Sequence, residues 1–135
     1  MQLFTVDQAD VDTVWPRVAP LLSKALEHSD GELGTEQLYK LALTGRVRIV
    51  LAMRDDVFVG AAAVEFVRYP NYVVANVIAL GGNSLMAGEG EFHLLKQWAK
   101  ANGAAKLQGY CRESVARLLR RAGLKQTYVV VRCDL

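Results

Sequence analysis

The chain has 135 residues, a formal net charge of +2, and 52% hydrophobic against 22% charged residues. This is the length of one domain, spanning 1–135, that can bury most of its surface without disulfide staples. The composition excludes a disordered chain. No apolar run approaches the roughly 20 residues that cross a bilayer, and the mean hydropathy is only +0.14.

Two cysteines, Cys111 and Cys133, and two histidines, His28 and His93, stand far apart. None has metal-ligand spacing, so no metal is expected. The small net charge argues against nucleic acid as a partner. The N-terminus, Met1–Asp7, has neither a basic segment nor a long apolar segment, and a cytoplasmic protein is expected.

In chain order, residues 2–6 read as a short strand. Val11, Val14, Trp15, Val18, Leu21, Leu22, Ala25 and Leu26 recur at helical spacing and predict one buried helix face. Pro16 and Pro20 interrupt it, and a kink or a late regular start is expected there. Thr35 is positioned as the N-cap of a short helix with Leu38, Leu41 and Ala42, closed by Gly45. Val47–Met53 and Val57–Val67 read as strands joined by the tight turn Asp55-Asp56. Tyr72–Leu80 follows as a third strand.

Gly81-Gly82-Asn83-Ser84 and Gly88-Glu89-Gly90 then form a glycine-rich loop. A helix carrying Phe92, Leu95, Trp98 and Ala99 runs to Asn102-Gly103. The strand expected over Ala104–Tyr110 is parallel to the one ending at Leu80, because a helical crossover separates them. A last helix buries Val115, Leu118, Leu119 and Ala122 before Gly123, and Gln126–Cys133 completes the pattern as a final strand. The fold class is α/β (α+β), in the order β-α-α-β-β-β-α-β-α-β, with a mostly antiparallel sheet flanked by helices.

Two stretches carry a resemblance: Leu94-Leu95-Lys96-Gln97-Trp98-Ala99-Lys100-Ala101-Asn102-Gly103 and Arg120-Arg121-Ala122-Gly123-Leu124. With the order of elements, they resemble the central and final helices of the GCN5-related N-acetyltransferases. The resemblance covers nearly the whole chain. It implies acetyl transfer from acetyl-CoA to a small or protein amine by direct attack. The cofactor would lie over the turn from strand to helix, at Leu80, Gly81, Gly82, Asn83, Gly88, Glu89 and Gly90, where free N–H groups and a helix start favour phosphates.

The family's loop reads Arg/Gln-x-x-Gly-x-Gly/Ala. Here Asn83 stands at its first position, Met86 at the first glycine and Gly88 at the second. The tyrosine that the family often uses as general acid is replaced by Leu119. Glu65, Asn76 and Tyr110 are the candidate catalytic residues: an acid inside the second meander strand, an amide in an apolar run, and a tyrosine at a strand end. Each also has a structural reading, as a solvent-facing acid, a cross-strand amide and a half-buried aromatic.

A second class of function stays open. The altered loop and missing tyrosine are also similar to compact acetyltransferase-like proteins of tailed phages and prophages. That likeness implies a non-catalytic, virion-associated assembly module with a protein partner. A homodimer is compatible with either reading. Arg112, Arg117, Arg120, Arg121 and Lys125 form a basic cluster that reads as a solvated helix face.

Overall fold

The computed structural model describes residues 1–82 and 89–135. Strand β1 (Gln2–Thr5) leads through a single 3-10 turn into helix α1 (Val11–Leu26), and α2 (Thr35–Leu43) follows. Then come β2 (Arg48–Arg54), β3 (Val57–Arg68), β4 (Val73–Gly82), α3 (Glu89–Ala101), β5 (Lys106–Gly109) and α4 (Glu113–Leu119). The five strands lie in the order β1-β2-β3-β4-β5. Every pair is antiparallel except β4 with β5, which is parallel. The α+β class and the crossover expected after Leu80 are both present.

Alternation decides which helix covers which face. Ile49, Ala61, Ala63 and Ala79 pack with Val18, Leu22, Leu38 and Ala42 beneath α1 and α2. Val50, Ala62, Val64 and Ala75 turn the other way and meet Trp98 and Ala99 of α3. Phe66 and Trp98 pack with ring centroids 5.6 Å apart, and Trp98 Nε1 donates to Thr5 Oγ1 at 2.7 Å. The alanines of β3 are small enough to let helices approach both faces of the sheet centre.

Local chemistry explains the connections. Asp55 and Asp56 both sit at positive φ, 50° and 62°. That is the type I′ geometry whose twist matches a two-residue hairpin. Helix α1 is continuous through Pro16 and Pro20. The expected N-cap shifts by one residue: Gly34 caps α2, and its N–H donates to Gln37 Oε1 at 2.8 Å, while Thr35 is the first helical residue.

The final strand expected over Gln126–Cys133 does not form. Residues 124–135 carry no regular structure, and 125–135 are all exposed. Strand propensity there is high, but a strand exists only against a ladder partner, and among the described residues β5 pairs with β4 alone. Cys111 is exposed as well, because it lies beyond the end of β5. No described helix is long and apolar enough to cross a membrane.

Candidate functional site at the fork between β4 and β5

The two parallel strands separate. Their ladder runs from Val74↔Lys106 to Val77↔Gly109 and ends there. Strand β4 continues from Ile78 to Gly82, still paired with β3 on its other side. Its β5-facing edge is left without a strand partner among the described residues.

A β-bulge lies at the same point. Val64 pairs with Val77 and Ala63 pairs with Ala79, so Ile78 is the extra residue on β4. A bulge takes one residue out of the ladder and turns its backbone groups. Fork and bulge therefore meet at one residue, directly after the last β4–β5 pair.

A polar row crosses the sheet just inside the fork. Glu65, Asn76 and Gln108 occupy directly paired positions of β3, β4 and β5. Asn76 Nδ2 donates to Glu65 Oε1 at 2.8 Å, and Gln108 Nε2 reaches Asn76 Oδ1 at 3.4 Å. Their neighbours Val64, Phe66, Ala75, Val77 and Leu107 belong to the α3-side cluster. The row therefore points to the face of α1 and α2. Asn76 is 6% exposed and is the buried polar residue of the described chain. No buried side-chain polar atom among the described residues lacks a partner.

Of the three catalytic candidates, the structure brings Glu65 and Asn76 together. Tyr110 is 76% exposed and takes no part in the row, because β5 has already ended at Gly109. Gln108 is the member that sequence reasoning missed. Its signal was parity alone, one residue away from the apolar Leu107.

The candidate cofactor residues divide similarly. Leu80, Gly81 and Gly82 belong to β4 beyond the fork. Glu89 and Gly90 open α3. Asn83 and Gly88 lie outside the described residues.

The two strand glycines have a packing reason. A Cβ on Gly81 would stand 2.5 Å from the Leu21 carbonyl oxygen of α1, and one on Gly82 would stand 2.4 Å from the Val59 carbonyl oxygen. Gly82 also has φ +132°, which side chains rarely adopt. Glycine lets α1 lie directly against the open end of β4.

The α1–α2 connection holds Asp30 and Glu32. Arg132 of the C-terminal segment binds both, with Nη1 2.9 Å from Asp30 Oδ2 and 2.6 Å from Glu32 Oε1. The hydrogen bond from Arg132 holds the Glu32 carboxyl below its ordinary range, and the same bond raises Arg132. Tyr39 donates to Asp12 and ties α2 to α1; that bond raises its phenol above the usual value. A hollow of about 470 Å³ beside α2, lined by Leu33, Gln37, Lys40, Leu41 and Thr44, shares no residue with the fork. No metal-binding group occurs among the described residues.

No family model matches the sequence, and no curated protein is similar to it. Solved structures do match. An aminoglycoside acetyltransferase from an uncultured soil metagenomic sample, in complex with sisomicin, superposes with a TM-score of 0.69 at 13% identity, over 99% of this chain and 95% of that one. A predicted acetyltransferase with acetyl-CoA from Clostridium acetobutylicum gives 0.66 at 12% identity, over 98% and 95%. The ribosomal-protein-alanine N-acetyltransferase of Brucella melitensis biovar Abortus 2308 gives 0.64 at 14%, over 98% and 100%.

The fold is that of the GCN5-related N-acetyltransferases. At these identities the likeness concerns backbone architecture, and within the acetyltransferase fold this chain keeps a forked β4–β5 pair with its own polar row. The resemblance carried by the Trp98 helix and by Gly123-Leu124 is thereby borne out for the fold. Nothing in the comparisons bears on a phage origin or on the replaced loop residues.

Proposed function

We propose that this protein is an acyl-CoA-dependent N-acyltransferase working at the fork between β4 and β5. The observation that carries the reading is the coincidence at Ile78 of the fork, the bulge and a strand edge unpaired among the described residues. A free edge presents backbone donors and acceptors to any extended ligand that can pair as a strand. The arm of acyl-CoA carries amides able to do so. Leu80, Gly81 and Gly82 would flank that arm, and the backbone starting α3 at Glu89 and Gly90 would favour its phosphates.

Bound acyl-CoA would supply an acyl thioester. The chain's own residues prepare the amine. An alkyl ammonium cannot attack until it loses a proton, and Glu65 is the acid placed to accept it through a water. Asn76 fixes Glu65 Oε1, and Gln108 holds the Asn76 amide in turn. A backbone N–H at the bulge would polarise the carbonyl as negative charge develops. The attack is direct, so no nucleophilic side chain is needed. With Leu119 at the family's tyrosine position, the departing thiolate takes its proton from solvent.

Calorimetric titration with acetyl-CoA and with CoA tests this reading. Saturable binding that is weakened by a bulky residue at Leu80 or Gly82, followed by turnover with an amine panel, supports it. The absence of binding at millimolar ligand overturns it.

A second reading, an assembly module on the same fold, draws on the exposed apolar segment Tyr128–Val131. It expects a protein partner and no acyl-CoA binding.

A further inference from the structure

The two ends of the sheet differ in charge. At the fork end, β2 and β3 are joined by Asp55-Asp56. At the other end, β2 begins at Arg48, β3 closes at Arg68, β5 begins at Lys106, and α3 carries Lys100 in its last turn. All four cations are exposed. None of them is ion-paired among the described residues. Residues 44–49, 66–75 and 98–108, which make up this closed end, contain no Asp or Glu. Asp7, Asp10 and Asp12 belong to the entry of α1 and to α1 itself, which packs on the other face from Phe66 and Trp98. The net charge of +2 hides this separation, because in salt a charge acts over only about 8–10 Å.

Side-chain contacts fix the cations in place. Arg48 Nη1 donates to Asn102 Oδ1 at 2.8 Å, and its guanidinium lies 5.0 Å over the Phe66 ring. The start of β2 is thereby joined to the end of α3. Lys106 Nζ stands 4.6 Å over the Tyr72 ring. Arg68 pairs with Val73, and the next β4 residue, Val74, pairs with Lys106.

Two tyrosines stand among these charges. The Tyr69 N–H donates to the Tyr72 carbonyl at 3.0 Å and closes the turn from β3 to β4. The two rings lie 6.1 Å apart at 59°. They remain 50% and 38% exposed, so the turn holds aromatic surface in water beside fixed positive charge.

From this arrangement we infer that the closed end of the sheet binds single-stranded nucleic acid, with Arg48, Arg68, Lys100 and Lys106 on phosphates and Tyr69 against a base. Cations that meet a phosphate chain release its condensed counterions. Exposed aromatic rings offer the bases a stacking surface, and any base can use it. An acidic peptide would engage the charges and leave the rings idle, so the rings favour nucleic acid. The surface lies at the opposite end of β4 from the fork, and the inference is independent of acyl-CoA binding.

Fluorescence anisotropy tests the inference, with a labelled oligouridylate of about 12 nucleotides titrated with the full chain over a range of salt. Binding at low salt should weaken as salt rises, with a log–log slope near −3 for about four phosphate contacts. Arg68→Gln and Lys106→Gln should each make that slope shallower by about 0.7. Tyr69→Ala should weaken binding roughly fivefold or more and leave the slope unchanged. The three side chains are exposed, so circular dichroism should be the same in every variant.

Three outcomes overturn the inference. One is no binding at low salt. Another is a salt slope that neither cation substitution changes. The third is displacement of the oligonucleotide by polyglutamate as readily as by unlabelled oligonucleotide, with Tyr69→Ala binding like the wild type. That result would make the surface a site for acidic protein.

Discussion

Asn76 on β4 holds Glu65 on β3, Nδ2 to Oε1 at 2.8 Å, across directly opposed positions of an antiparallel ladder. An ionised carboxylate only accepts hydrogen bonds, and an amide nitrogen only donates them, so the pair has one sensible orientation. It leaves an oriented carboxylate one strand away from the place where β4 and β5 part.

Glu65→Gln keeps the shape and removes the base. On the proposed function, kcat falls by roughly 10²-fold or more, the usual scale for a positioned general base, while the Kd of acetyl-CoA stays the same. Steady-state kinetics together with calorimetry read both quantities. A variant of undiminished kcat would remove Glu65 from the chemistry.

Asn76→Asp makes the opposite change, placing a second carboxylate against Glu65. Two carboxylates at hydrogen-bond distance retain a shared proton to higher pH than either does alone. The base is active only when deprotonated, so the rising limb of kcat/KM moves to higher pH than in the wild type. Gln108→Leu adds no charge and should leave that limb in place. A pH–rate profile of the three proteins separates the cases.

Much of the fold was readable from the sequence because its signals are local. Short apolar runs rich in β-branched residues marked β2, β3 and β4, Asp55-Asp56 marked the hairpin, and the spacing of Phe92, Leu95, Trp98 and Ala99 marked α3. The site was readable only in pieces. Glu65 and Asn76 could each be placed within a strand, but their opposition depends on register. That register is set at the turn joining the strands, where Arg68 pairs with Val73, and it runs unbroken to Val64↔Val77 before the bulge at Ile78. The closing pair of that turn is not marked by any one residue.

Gln108 was hidden for a similar reason: the parity of a strand of four residues becomes visible only once Leu107 is seen packing toward α3. The last strand was over-read. Tyr-Val-Val-Val has the propensity, but within one chain it has no ladder to join.

Gly81→Ala tests the contact between α1 and the open end of β4. A Cβ there meets the Leu21 carbonyl oxygen at 2.5 Å, and backbone on both sides has little room to move. The cost should fall near the upper end of the roughly 1–3 kcal/mol typical of overpacking, read as a lower denaturation midpoint with an unchanged m-value. Gly103→Ala is a useful contrast. Nothing lies within 4 Å of its added Cβ, and only its φ of +95° opposes the change. A Gly81→Ala protein as stable as the wild type would show that α1 is free to shift away from β4.

The tether at Arg132 should open in acid. Arg132 donates to Glu32 and Asp30, and the bond to Arg132 is the main reason that Glu32 is held below its ordinary range. A carboxylate whose folded-state pKa is depressed contributes stability above its unfolded value and loses it as pH falls through the folded one. Residues 124–135 should therefore be pinned at neutral pH and released on the acid side of the carboxylate range.

All three groups stand at the surface, so added salt should loosen the tether at neutral pH as well. Arg132→Ala should reproduce the acid state without any change of pH, because it removes both contacts to Asp30 and Glu32. Hydrogen exchange over 124–135, corrected for the intrinsic pH dependence of exchange, reads all three effects. A segment equally protected in acid, in salt and in Arg132→Ala would show that its apolar residues, rather than the ion pairs, hold it in place.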